Sequence, residues 1–102
     1  MERHFEQQID ALKEALLLMG GRAESAIQKS IRALERRDAA VAEQVFDDDR
    51  AIDRDEIDVE ARCIDLLALQ QPLASDLRFI TAALKISNDL ERCGDHAVNI
   101  AG

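Results

Sequence analysis

Between Gly21 and Gly94 the chain contains no glycine and a single proline, Pro72, so almost nothing in its interior interrupts a helix. An all-β chain needs turn residues every ~10 positions, and this one lacks them. The apolar residues instead recur at steps of three and four. Phe5, Ile9, Leu12, Leu16, Met19, Ala23, Ile27, Ile31 and Leu34 form one stripe. Val41, Val45, Ile52, Val59, Cys63 and Leu66 form a second, flanked by Ala42, Phe46, Ile57, Ile64 and Leu67. Phe79, Ala83, Ile86, Leu90, Cys93, Ala97 and Ile100 form a third, with Leu77, Ile80, Leu84 and Val98 beside it. Helices are therefore expected over about 3–36, 39–69 and 74–101. Short connections between long helices force antiparallel neighbours. The expected fold class is all-α, an up-down-up antiparallel three-helix bundle of long helices in one domain, residues 1–102. Within it Asp38 is the expected N-cap of the second helix. Gly20 and Gly21, each costing about 1 kcal/mol in a helix, predict a close helix contact or a kink.

Composition narrows the function. Thirteen Lys and Arg against twenty-one Asp and Glu give a net charge of −8, which opposes attraction to nucleic acid or anionic lipid. The run "ALLLM", Ala15 to Met19, is too short for a signal-peptide core or a membrane span, so no direct membrane insertion is expected. A cytoplasmic chain is expected, reaching a membrane only through a protein partner. Cys63 and Cys93 have no metal spacing with His4 or His96 and fall on the apolar stripes, as reduced core thiols do.

The stretch "DDDRAIDRDEIDVE", Asp47 to Glu60, carries eight carboxylates. On a wheel of about 100 degrees per residue, Asp49, Asp53, Glu56 and Glu60 fall inside the apolar arc of the second helix. Asp47, Asp55 and Asp58 fall outside its centre, as solvated charges do. In the third helix, Glu91 takes a place on the line Leu77, Leu84, Val98, with Asp95 one turn further on. Each helix thus carries an acid-x-x-x-acid pair, Asp49 with Asp53 and Glu91 with Asp95. Such spacing puts two carboxylates about 5 to 6 Å apart on one face. Folding the helices antiparallel about Pro72 brings Asp53 opposite Glu91, Asp49 opposite Asp95 and Asn88 opposite Glu56. Carboxylates that converge raise one another's pKa and need cations, arginines or water nearby. Asp49, Asp53, Glu91 and Asp95 are accordingly candidate metal ligands, with Glu56 and Asn88 as additional candidates. All-oxygen ligands suit magnesium, manganese or iron, divalent or trivalent, with zinc as a further candidate.

The competing reading is a non-metal structural helical interaction module whose acids are solvated and pair with Arg50, Arg54 and Arg92. A carboxylate-metal hydrolase is a third reading, but the chain shows no Ser, His, Asp constellation and no phosphate-cradling glycine loop. The residue three after Glu91 is Gly94, not the histidine that a di-iron carboxylate site requires. His96 is expected at the surface. No catalytic nucleophile is found, and the chain is not expected to be an enzyme.

The segment "LLALQQPLASDLRFITAALKISNDLERCGDHAVNIA" resembles the PhoU family, through its "QQP-ASDLR" approach and its "ERxGDHAxNI" ending. "DDDRAID" is similar to the same family's repeat, and "HFEQQIDALKEALLLMG" to the start of its first repeat. The resemblance covers essentially the whole chain. It implies one of two tandem three-helix bundles, with metal clusters on acid-x-x-x-acid motifs that map onto Asp49 with Asp53 and Glu91 with Asp95. It also implies a cytoplasmic regulator of phosphate uptake and phosphate-regulon signalling. The implied partners are the phosphate-importing ABC transporter and the phosphate sensor histidine kinase, with repression when phosphate is plentiful. The family has two repeats and this chain ends where the first ends, as a fragment or a natural single-repeat protein would; the aliphatic stripe beside the long first helix offers a face to a second copy, so a homodimer is expected.

Overall fold

The computed structural model describes residues 2–69 and 74–102. They form three α-helices, α1 (Glu2–Arg36), α2 (Ala39–Leu69) and α3 (Ala74–Ala101). Each helix packs along the other two, giving an all-α three-helix bundle of 52 × 18 × 15 Å. The turn expected around Pro72 lies outside the described residues. Among those described, no helix is long and apolar enough to cross a membrane.

The first turn is set by Arg37 and Asp38. Arg37 has φ 52, the left-handed conformation that ends many helices, and the Asp38 amide then reaches back to the Ala33 carbonyl at 3.2 Å. The Asp38 carboxylate accepts from the amides of Ala40 (3.0 Å) and Val41 (3.3 Å), satisfying donors at the start of α2 that have no partner within the helix. Residues equally distant from this turn meet across α1 and α2. Arg22 pairs with Asp55 at 2.6 Å and Lys29 with Asp48 at 3.1 Å, two bridges in the same antiparallel register. Asp55, expected among the solvated charges, thus faces α1 with its side chain 15% exposed. Asp47 and Asp58 do remain at the surface, paired with Arg50 and Arg62 on their own helix.

The core follows a strict alternation of four- and three-residue steps. In α1 it runs through Leu12, Met19, Ala23, Ala26, Ser30 and Ala33, all buried. The expected continuation through Ile27, Ile31 and Leu34 is corrected: these are 36%, 47% and 64% exposed. The seam keeps its period while the large residues leave it, because small side chains allow the helices to approach. Ser30 is accommodated in this narrow seam by donating its hydroxyl to the Ile27 carbonyl at 2.7 Å. In α2 the expected stripe is buried at Val45, Ile52, Val59, Cys63 and Leu66. In α3 the buried line is Ile80, Ala83, Ser87, Gly94 and Ala97, whereas Ile86 and Ile100, expected inside, are exposed. Both cysteines are free thiols, Cys63 fully buried and Cys93 half-buried.

Gly20 and Gly21 also differ from expectation. α1 continues through both, and a Cβ on either would meet nothing within 4 Å, so no close contact inside the bundle explains them.

Replacing Asp38 with alanine removes both capping bonds and is expected to lower stability by about 1 kcal/mol. Arg37→Gly relieves the left-handed residue and should raise stability by up to about 1 kcal/mol. Paired chemical denaturation curves check both signs.

Candidate metal centre

The four- and three-residue seam of α2 passes through two acids. Asp49 and Glu56 occupy the steps between Val45, Ile52 and Val59, and both are half-buried. At the same distance from the α2–α3 connection, α3 offers only small residues on its own seam. Gly94 stands at the level of Asp49, and Ser87 at the level of Glu56. The fit at Gly94 is tight: a Cβ there would lie 2.8 Å from Asp49 Oδ1 and 3.2 Å from Ile52 Cδ1. The glycine lets the α3 backbone close over the Asp49 carboxylate.

Three of the four expected ligands converge. Carboxylate oxygens of Asp49, Asp53 and Asp95 lie within 4.8 Å of one another, the first half-buried and the other two exposed. Glu91 lies outside this group of three, within electrostatic range of Asp95, Glu56 and Asp53. Glu56 adjoins Glu60, Asp53 and Asp95. Asn88 is exposed and forms no hydrogen bond to the acids among the described residues.

Among the described residues no ion pair compensates this charge. Ion pairs of the described residues engage Asp55, Asp48, Asp47 and Asp58, and none of these reaches Asp49, Asp53, Glu56, Glu91 or Asp95. Arg50, which could have neutralised Asp49, is hydrogen-bonded to Asp47. Asp49 Oδ1 is buried without any hydrogen-bond partner, a costly state for a carboxylate oxygen.

The electrostatics follow from this packing. Burial, then the charges of Asp53 and Asp95, push the Asp49 carboxyl above its ordinary range, against a weaker opposing pull from Arg50. Burial raises Glu56 as well, with Glu60, Asp53 and Asp95 adding to it. Glu91 is raised from 4.5 to about 7, by burial first, then by Asp95, then by Glu56 and Asp53. A hard or borderline cation fits such a donor set, because it replaces the missing hydrogen bond at Asp49 and offsets the mutual repulsion.

The sequence reading missed Gly94 as part of this site, having used it only to exclude a di-iron motif. A lone glycine inside a helical pattern was the available signal, since it marks a close approach of backbone to something else.

The PhoU domain matches residues 16–102, which include the whole acidic cluster. The chain belongs to the PhoU family. It is 43% identical over 95 residues to a phosphate-specific transport system accessory protein PhoU homolog of Aquifex aeolicus, covering 93% of this chain and 43% of that protein. It is 45% identical over 98 residues to the homolog of Clostridium acetobutylicum, covering 95% of this chain and 45% of that one. The crystal structure of the phosphate transport system regulatory protein PhoU from Streptococcus pneumoniae superposes with a TM-score of 0.87 at 35% identity, over 95% of this chain and 46% of that chain. The chain thus spans a little under half the length of these PhoU relatives.

Two outcomes follow from this geometry. Raised carboxyl pKa values mean that the folded, metal-free protein binds protons more tightly than the unfolded chain, so their stabilising contribution is complete below the unfolded value and is lost as pH rises through the folded one. For Glu91 that window runs from 4.5 to about 7. Melting temperature of chelated protein should therefore fall across this range, and the fall should shrink in Glu91→Gln. In a second variant, Gly94→Ala, the new methyl group displaces the Asp49 carboxylate while improving helix propensity by about 1 kcal/mol. Metal-free stability should then change little, while any metal-induced rise in melting temperature is lost.

Proposed function

We propose that this chain is a metal-binding regulatory module of a phosphate-specific transport system. Its membership of the PhoU family and the names of its relatives support the link to phosphate transport. In this reading it works in the cytoplasm as an adaptor on the phosphate-importing ABC transporter and the phosphate sensor histidine kinase, restraining uptake and signalling when phosphate is plentiful. It carries out no catalysis.

One observation carries the metal assignment. The partnerless, buried Asp49 Oδ1 lies against Gly94 in a cluster where Asp53 and Asp95 offer oxygens within 4.8 Å. Asp49, Asp53, Glu91 and Asp95 would hold the ion, with Glu56 beside them. A bound ion would supply charge neutralisation between α2 and α3, and these residues would so couple metal occupancy to the packing of the two helices. Iron, manganese, magnesium and zinc are the candidates to test.

The exposure of Asp53 and Asp95 supports a second reading, a structural helical module with a solvated acidic face. The two readings diverge on metal. Elemental analysis of purified protein, with melting curves before and after chelation, should show bound metal and its loss in Asp53→Ala and Glu91→Ala. Metal at about 100 times its dissociation constant stabilises by about 2.7 kcal/mol, a shift on the order of 10 °C for a domain of this size. No metal and no shift would favour the structural module. Capture of transporter or sensor components by metal-loaded protein tests the adaptor role, and failure to capture either would remove it for this chain.

A further inference from the structure

The two flanks of α2 are finished differently. Toward α1 its acids are neutralised by bases of the same chain, Asp55 by Arg22 and Asp48 by Lys29. Toward α3 none of the ion pairs described above reaches an acid, and aliphatic side chains stand in water beside the carboxylates. Ile57 and Ile64, a seven-residue step apart on α2, are 67% and 62% exposed, and Leu67, Leu77 and Leu84 are exposed as well. The approach of Gly94 to Asp49 and of Cys63 to Ile80 fixes the antiparallel register, which sets Leu77 within one residue of the level of Leu67, and Leu84 within one of Glu60. The face therefore changes character along its length, and does so in both helices. Leu67 gives way to Glu60 and Asp53 at seven-residue steps on α2, and Leu77 and Leu84 give way to Glu91 on α3. It is aliphatic near the α2–α3 connection and acidic beyond it.

Two neighbouring helices leave a groove between them that a third helix can fill. Such a helix removes the aliphatic residues from water, and its Lys or Arg side chains meet carboxylates that lack a base. We propose that the α2–α3 face docks an amphipathic helix of a partner protein, with aliphatic residues at one end of its buried stripe and Lys or Arg at the other. Charge selects this occupant. The chain carries −8, which attracts a basic segment and repels anionic lipid and nucleic acid. A second copy fits poorly, because a two-fold axis would set acid against acid in a parallel pairing and acid against aliphatic in an antiparallel one. From Asp49 to Leu67 the face is about 27 Å long at about 1.5 Å per residue, the length of a helix of about eighteen residues. The inference rests on the adaptor reading for the existence of a protein partner and gives that adaptor a contact surface. It does not require a bound metal, since the carboxylates that a base would meet are free in chelated protein.

Fluorescence anisotropy of chelated protein tests it, with a labelled helical peptide of about eighteen residues that carries leucines on one half of its stripe and lysines on the other. The peptide should bind one-to-one in the micromolar range. The pair Ile57→Gln with Ile64→Gln and the pair Asp53→Asn with Glu60→Gln should each weaken binding by roughly tenfold or more. All four side chains are exposed, so these variants keep the fold. Leu17→Gln on the α1–α3 side and Asp58→Asn on the outer face of α2 should leave the affinity unchanged. A peptide of the same composition in scrambled order should bind at least about tenfold more weakly, because charge alone is not what the face reads. No binding overturns the proposal, and so does equal binding of the scrambled peptide or an isoleucine pair that makes no difference. Sedimentation in which the isoleucine pair converts a dimer into a monomer also overturns it, since a second copy would then be the occupant. Peptide binding without capture of transporter or sensor components would remove the adaptor reading and leave this surface standing.

Discussion

The structure depends on a seam in which two carboxylates stand where aliphatic side chains are the rule. Asp49 and Glu56 alternate with Val45, Ile52 and Val59 along α2, so packing α2 against α3 desolvates acid together with apolar surface. A desolvated carboxylate needs a proton, a hydrogen bond or a cation. In the metal-free protein burial and Asp95 push the Glu91 carboxyl up to about 7, and the Asp49 oxygen is left without a partner. The helix interface and the proposed ion site are therefore one feature, because the ligands are held in place by the packing that creates the need for a ligand.

Small residues make this arrangement sterically feasible. Ser87 and Gly94 on the α3 seam leave room at the levels of the two α2 acids, and Ala23, Ala26, Ser30 and Ala33 keep the α1 seam narrow. The bases are distributed so that they do not quench the cluster. Arg22 and Lys29 tie α2 to α1 through Asp55 and Asp48, on the flank away from α3, and Arg50 and Arg62 bind acids on the exposed face of α2. One helix thus carries acids of two kinds, those with a basic partner and those without, and only the second kind gathers between α2 and α3.

Much of this was legible in the residues. The all-α class followed from missing breakers and the buried line of α2 from its period, and counting outward from Pro72 brought Asp49 and Asp53 near Asp95, although Gly94 and not Asp95 stands directly against Asp49. The errors share a cause. Ile27, Ile31 and Leu34 were read as core because they are large, although the alternation of four and three residues leads to Ala26, Ser30 and Ala33. Ile86 was read as core in the same way and is 47% exposed. Residue size is a local property, whereas burial depends on distance to the facing helix, and a tightly packed seam selects small side chains.

The sequence by itself determined that three amphipathic helices form and that Asp49 and Glu56 fall on the buried line of α2, because periodicity and breaker placement act within a single helix. Only the tertiary structure decided that Asp55 turns to Arg22, that Gly94 closes on Asp49, and that the oxygens of Asp49, Asp53 and Asp95 come within 4.8 Å. These depend on the approach and rotation of one helix against another. Those quantities are set by the sum of many side-chain contacts, and no single stretch of chain encodes them.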